Sequence, residues 1–392
     1  MKKIFVFLFV LFLTGCISSV KESTPVEFEK RVIKMDKIDT ILESMSLEEK
    51  ISQMLILEYD SDYVDDGLKF FLNNTPPGGF ILMKGSITTY ENTRKFVSDL
   101  KGNSKIPLII SIDEEGGSVQ RLNYLLDVKP TNIPFMYNVG LTNNSDLAYN
   151  VGKLIAEEVR TIGVNVDFAP VLDIYSNPNN VVIGKRSFGS NVEIVSNLGI
   201  SFTKGLEDNG VIGVYKHFPG HGDTSVDSHI SLPIINKSID DLKKFEFVPF
   251  ENSIKKGAKM IMIGHISLPQ ITGDNTPASL SKSVIDILKN DLNYNGLIVT
   301  DALNMGAVTE NYSNEEIYIK AIEAGNDLLL IPSDGVNTID IIKDRVSIDR
   351  INESVRKILK FKYDYLDKDN FLDKSYLGSE EHAEIIKQIP IG

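Results

Sequence analysis

The sequence predicts an α/β protein built as a (β/α)8 TIM-type barrel, and three observations carry that reading. Eight short, continuously apolar runs recur, at residues 54–58, 79–83, 107–113, 164–170, 211–217, 259–265, 296–301 and 327–332. Amphipathic stretches separate them, for example 147–162 and 192–206. Titratable residues collect at the C-terminal ends of the runs. Apolar runs without polar alternation fit parallel strands buried on both faces, and the C-terminal end of barrel strands is the catalytic face. A doubly wound open sheet is the competing arrangement, but no G-x-G-x-x-G follows an early strand to support it.

The barrel is preceded by a targeting segment. Lys2 and Lys3 form a positive start, residues 4–13 are apolar, and Leu13-Thr14-Gly15-Cys16 closes the stretch in the manner of a bacterial lipobox. The apolar run is shorter than the roughly 20 residues that span a bilayer. The expectation is a signal peptide over 1–15, lipid attached at Cys16, a polar tether over 16–35, and a cell-envelope protein anchored to the extracytoplasmic side of a membrane. Cys16 is the only cysteine, so no intramolecular disulfide can form. With 392 residues, 42% of them hydrophobic, the chain suffices for one large domain. Its net charge of −13 is spread without long acidic runs, and no basic, aromatic-rich patch appears. Nucleic acid is therefore not an expected partner, and a monomer is expected.

Ser46-Leu47-Glu48-Glu49 is a capping-box pattern that opens a helix. The third run then ends in Asp113-Glu114-Glu115-Gly116-Gly117, the fourth passes Asp167 with Asp173 just beyond, the sixth ends at His265 and the seventh at Asp301. The fifth is the most informative. It ends in Lys216-His217 and opens into a loop carrying His221, Asp223, Asp227 and His229, so three of the chain's five histidines fall within residues 214–233. Metal ligation is one use for such a cluster, but Pro219, Gly220 and Gly222 break the helix that a His-x3-His site would need. Lys216 and His217 are adjacent and on a regular strand would face opposite ways. Both reach one ligand only if the strand is distorted there.

The run K-H-F-P-G-H-G-D-T-x-x-D-S-H-x-x-L-P resembles glycoside hydrolase family 3, and within it bacterial β-N-acetylglucosaminidases that act on peptidoglycan-derived sugars. The segments MSLEEKISQM, IPLIISIDEEGG with Val119 and Arg121, GVNVDFAPVLDI, NPNNVVIGKRSFG and GLIVTDALNMGAV resemble further family blocks. One common variant carries arginine where this chain has Ser118. The resemblance covers about residues 36–365, taken as the barrel domain, with 366–392 as a C-terminal tail. It implies Asp301 as nucleophile, His229 as general acid/base hydrogen-bonded to Asp227, and Asp113, Arg121, Arg186, Lys216 and His217 as sugar-binding residues. Asp167 and Asp173 are expected to orient their neighbours. Longer relatives carry a second, sandwich-like domain after a G-S-x-E-H segment, here at 378–382, and in the glucosidase branch that domain supplies the acid/base carboxylate. A chain ending at 392 is expected to use the Asp227-Ser228-His229 loop instead. Histidine suits the task because its ordinary pKa lies near neutrality.

The resulting expectation is a retaining exo-β-N-acetylglucosaminidase working on a carbohydrate substrate, with no metal or organic cofactor. A broader β-hexosaminidase, a phosphorolytic variant, a metal-dependent hydrolase and a non-catalytic sugar-binding lipoprotein are the alternatives.

Overall fold

The structure, a computed structural model, describes residues 37–224, 228, 231–366 and 371–391. The targeting segment and tether, Cys16 included, and both Asp227 and His229 lie outside the described residues.

Eight parallel strands form one sheet: β1 Leu55–Glu58, β2 Gly79–Ile81, β3 Ile109–Ile112, β4 Val166–Asp167, β5 Ile212–Phe218, β6 Met260–Ile263, β7 Leu297–Thr300 and β8 Leu329–Leu330. Their order in the sheet is β8, β1, β2, β3, β4, β5, β6, β7. The two ends then meet: Val299 forms a parallel bridge with Leu328, and the Thr300 N–H donates to the Leu328 carbonyl at 3.1 Å. This is the (β/α)8 barrel. Seven of the eight predicted runs contain their strands, and β5 extends one residue past the 211–217 run, to Phe218. Every strand residue is buried except Glu58, at the C-terminal end of β1. That accounts for the absence of polar alternation, since helices cover the outer face and side chains fill the inner one.

Some strands are shorter than the apolar runs. β4 keeps only two residues of 164–170, although backbone hydrogen bonds continue beyond it, from the Phe168 N–H to the Ile112 carbonyl at 2.8 Å and from the Val214 N–H to the Ala169 carbonyl at 2.9 Å, up to the bridge Val171–Lys216. The helices follow the expected signals. Ser46 caps Leu47–Gln53: its hydroxyl accepts from the Glu49 N–H at 3.2 Å, and the Glu49 carboxylate accepts from the Ser46 N–H at 2.8 Å. The predicted amphipathic stretches are the helices Ser145–Thr161 and Val192–Asp208, which lie side by side.

An element with no counterpart in the strand pattern sits at the end of β3. Glu114–Gly116 and Val119–Gln120 pair as a small antiparallel ribbon. Its turn places Gly116 and Gly117 at φ 87° and 61°, and a β-carbon on Gly117 would come within 2.2 Å of the Phe135 ring. Glycine is required there on both counts. Glu114 anchors the ribbon from beneath, accepting from the Gln120 amide at 3.2 Å and the Leu122 N–H at 3.0 Å. Burial pushes its pKa up to about 8.

The C-terminal segment returns to the barrel and docks on the helix Ser145–Thr161. His382, buried on the helix Glu380–Ile386, meets Glu158 through Nδ1 at 3.1 Å and Glu157 through Nε2 at 3.0 Å. Lys153 and Glu381 pair beside it at 3.1 Å, and the Tyr376 ring lies 6.3 Å away. Burial alone would lower the His382 pKa, but Glu158 and Glu157 outweigh it and the net shift is upward. A raised folded-state pKa makes this contact stabilising below the unfolded value of about 6.5, and the contribution is lost as pH rises through the folded pKa. Hydrogen exchange should therefore show amide protection in 380–386 that weakens from pH 6 to pH 9, after correction for the intrinsic rate. His382→Gln should flatten that dependence, and equal pH profiles in both proteins would refute the latch.

Candidate active site

Because the strands run parallel, their C-terminal ends open at one mouth, and six of the expected site residues line one cavity there. Asp113, Arg121, Arg186, Lys216, His217 and Asp301 surround a space of about 310 Å³, at the small end of the range for ligand pockets. The remaining two expected residues, Asp227 and His229, are outside the described residues, but Ser228 between them in sequence lines this cavity.

Asp113 follows β3 directly. The ribbon beyond it carries Glu115 inward and brings Arg121 back, with the Arg121 guanidinium 3.9 Å from Asp113. Lys216, near the end of β5, donates to Asp113 at 2.7 Å and lies 2.6 Å from Glu115. Arg186, in the short 3-10 turn Gly184–Arg186, forks onto Glu115 with two contacts of 2.7 Å. Glu115 thus joins three elements of the mouth through both of its oxygens. Burial alone would raise its pKa, but Arg186 and Lys216 prevail and hold it far below the carboxylate range. The sequence reading assigns no contact to Glu115. Its signal is the Glu-Glu pair itself: alternation along the ribbon aims one of two adjacent carboxylates at the barrel floor and the other at the cavity.

Asp167 and Asp173 serve their neighbours. Asp167 accepts from the Glu114 N–H at 2.9 Å, and burial raises its pKa well above the ordinary value. Asp173 accepts from the His217 N–H at 3.2 Å and the His221 N–H at 2.7 Å, and it holds His217 Nδ1 at 2.7 Å. A carboxylate partner fixes the proton on Nδ1 and leaves Nε2 as the nitrogen available to the cavity. The distortion foreseen at Lys216-His217 is present: that peptide is cis, and the β5–β6 register shifts between Tyr215 and Phe218. Both side chains line the same cavity.

His221 also lines the cavity, with both of its ring nitrogens engaged by neighbours. Its Nδ1 meets the Thr224 hydroxyl at 2.8 Å and its Nε2 the Ser228 hydroxyl at 3.2 Å. Burial lowers its pKa to about 4, so it stays neutral through the physiological range. Gly222 lets this loop lie against the backbone, since a β-carbon there would fall 1.7 Å from the Ile174 carbonyl oxygen. Among the described residues, no three His, Cys, Asp or Glu side chains converge as a metal site.

Asp301 follows β7. Its Oδ1 accepts from the Ala302 N–H at 2.8 Å, and His265 Nε2 donates to the Ala302 carbonyl at 2.9 Å. Burial would favour the protonated acid, but His217, His265 and the Ala302 N–H lower the pKa below its ordinary value. Asp301 is ionised at neutral pH.

Removing Glu115 takes the forked carboxylate partner from Arg186 and leaves buried Lys216 with Asp113 alone, and breaking a buried pair in this way typically costs about 3–5 kcal/mol. Denaturant unfolding of Glu115→Ala should show a loss of that order, with weaker sugar binding. A variant as stable as the parent would show that the Glu115 network is not what holds the mouth together.

The comparisons with known proteins agree with this geometry. Glycosyl hydrolase family 3 N terminal domain matches residues 46–361. The chain is 35% identical over 287 residues to Beta-hexosaminidase A of Pseudoalteromonas piscicida, covering 67% of this chain and 47% of that protein, so it spans about half that relative's length. It is 31% identical over 294 residues to Beta-hexosaminidase LpqI of Mycobacterium tuberculosis, covering 73% of each. Among solved structures, a glycoside hydrolase family 3 β-N-acetylglucosaminidase from Paenibacillus sp. str. FPU-7 aligns with a TM-score of 0.82 and 32% identity, over 88% of this chain and 68% of that one. With the family domain matched across most of its length, the chain belongs to glycoside hydrolase family 3.

Proposed function

We propose that the protein is a retaining exo-β-N-acetylglucosaminidase that releases terminal β-GlcNAc through a covalent intermediate on Asp301. The observation that carries this reading is the single cavity in which an ionised Asp301 faces Asp113, Arg121, Arg186, Lys216 and His217. Arginine and lysine donors with a carboxylate acceptor suit a polyol. The relatives named β-hexosaminidase support N-acetylhexosamine as the sugar. Peptidoglycan fragments are the source we assign, from the resemblance of the 214–233 segment.

In the first step the Asp301 carboxylate attacks the anomeric carbon, the bond to the departing oxygen breaks, and His229 gives that oxygen its proton. In the second, His229 takes a proton from water, the oxygen adds to the anomeric carbon, and the ester to Asp301 breaks. Asp227 keeps the imidazole in the working tautomer. The position of Ser228 supports this assignment, since it lines the cavity and its carbonyl accepts from the Ala307 N–H at 3.1 Å, on the turn that follows Asp301.

Hydrolysis of chromogenic β-GlcNAc, β-GalNAc and β-glucoside substrates, each with and without phosphate, tests the reading. The first should be cleaved fastest without phosphate, and a requirement for phosphate or a preference for glucoside would overturn it. Asp301→Asn should lose nearly all turnover, and a slow fluorinated glycoside should label Asp301 in peptide mapping. His229→Ala should lose about 10²–10⁴-fold on natural sugar leaving groups and much less on nitrophenol, with azide restoring turnover. Label on another residue, or equal losses on every leaving group, would reassign these roles.

We also place the protein at the cell envelope through lipid on Cys16, supported by Leu13-Thr14-Gly15-Cys16. Metabolic labelling with a fatty acid should mark the parent chain, and label that persists in Cys16→Ser would exclude the anchor.

A further inference from the structure

A second cavity, of about 620 Å³, opens beside the first on the same mouth of the barrel. Glu58, Asn304 and Ile331 line both, so the two are continuous. Their places around the barrel differ. The groups suited to sugar hydroxyls come from the ends of β3, β4 and β5, while the second cavity is bordered by the segments after β1 and β8. In an eight-stranded ring, β8 and β1 lie across from β4 and β5. A hexose held by its hydroxyls at β3–β5, with its anomeric carbon toward Asp301 on β7, directs the departing sugar away from the hydroxyl-binding side. The second cavity is the space on that far side.

Its walls are built for a sugar of restricted charge. Half-buried Tyr59 and Phe71 offer ring surface, and Tyr59 is fixed in place, stacked on Phe96 at 6.0 Å with its hydroxyl donating to Asp65 at 2.8 Å. The carboxylates of Glu58 and Asp60 are exposed at the rim, and no lysine or arginine is among the lining residues. The first cavity differs, since Arg121, Arg186 and Lys216 line it and pair with Asp113 and Glu115.

We propose, resting on the glycosidase reading above, that this second cavity receives the sugar from which GlcNAc is cleaved, and that Glu58 and Asp60 select for an uncharged or amine-bearing sugar and against one with a free carboxylate. A muramyl unit then enters with its lactyl carboxyl capped as an amide by its peptide, and less readily as the free acid. Deacetylated glucosamine is the most favoured neighbour.

The test uses three disaccharides with GlcNAc β-linked to glucosamine, to GlcNAc and to free-acid N-acetylmuramic acid, alongside nitrophenyl β-GlcNAc. At pH 6, where the glucosamine amine is largely protonated, kcat/KM should fall in that order. The ratio between the glucosamine and muramic acid substrates should be about tenfold or more at low ionic strength, from like and unlike charges a few ångströms apart, and should shrink in 0.5 M salt. Taking the ratio within each protein cancels general losses of activity. In Glu58→Gln/Asp60→Asn it should approach one, and if that double variant folds poorly, Asp60→Asn alone should lower it. A parent ratio near or below one, an unchanged ratio in the variants, or cleavage of the nitrophenyl substrate with none of the disaccharides would overturn the proposal. Failure to cleave nitrophenyl β-GlcNAc as well would instead overturn the glycosidase reading on which it rests.

Discussion

The mouth of this barrel depends on one ammonium group. Lys216 is 2% exposed, and burial alone would drive it to the neutral amine. Asp113 and Glu115 reverse that, leaving its pKa above the ordinary value. Because Glu115 is also forked by Arg186, one charge cluster ties together β3, the ribbon after it, the turn after β4 and the end of β5. Each ion needs the others to remain charged out of water. This side of the cavity is therefore assembled before any ligand arrives, and its opposing charges suit the neutral, hydroxyl-rich ligand proposed for it.

The histidines are organised from below by Asp173. One fully buried carboxylate receives two backbone N–H groups and the His217 ring, and its pKa stays low despite burial because His217 and His221 surround it. It thereby sets the His217 tautomer and pins the start of the 217–221 turn. His221 is neutral and engaged on both ring nitrogens, which makes it a strut between Thr224 and Ser228.

How much of this was legible in the sequence follows from what each feature depends on. The strands are visible as apolar runs because burial on both faces leaves a mark at every position, and the mouth is visible because parallel strands place their terminal polar residues together. The ribbon is too short for a periodic signal, so it shows only in Gly116-Gly117. Glu115 is hidden for the same reason, since nothing local says which of Asp113, Glu114 and Glu115 faces the cavity. The second cavity is assembled from segments some 270 residues apart, and no run of neighbouring residues encodes such a juxtaposition. The docking of 371–391 is likewise long-range, although the histidine of its G-S-x-E-H segment is the residue that makes the contact.

Three carboxylates of the mouth show why position alone does not make a nucleophile. Glu115 commits both oxygens to Arg186 and Lys216. Asp113 commits one to Lys216, with Arg121 at longer range beside the other. Asp301, among the described residues, accepts one short hydrogen bond, from the N–H of its own neighbour Ala302. The electrostatic influence of His217, His265 and Lys216 keeps it ionised. A carboxylate held by field and by one backbone donor keeps its charge and retains an oxygen for bonding. Covalent catalysis needs that combination, and it is the reason Asp301 is the proposed nucleophile.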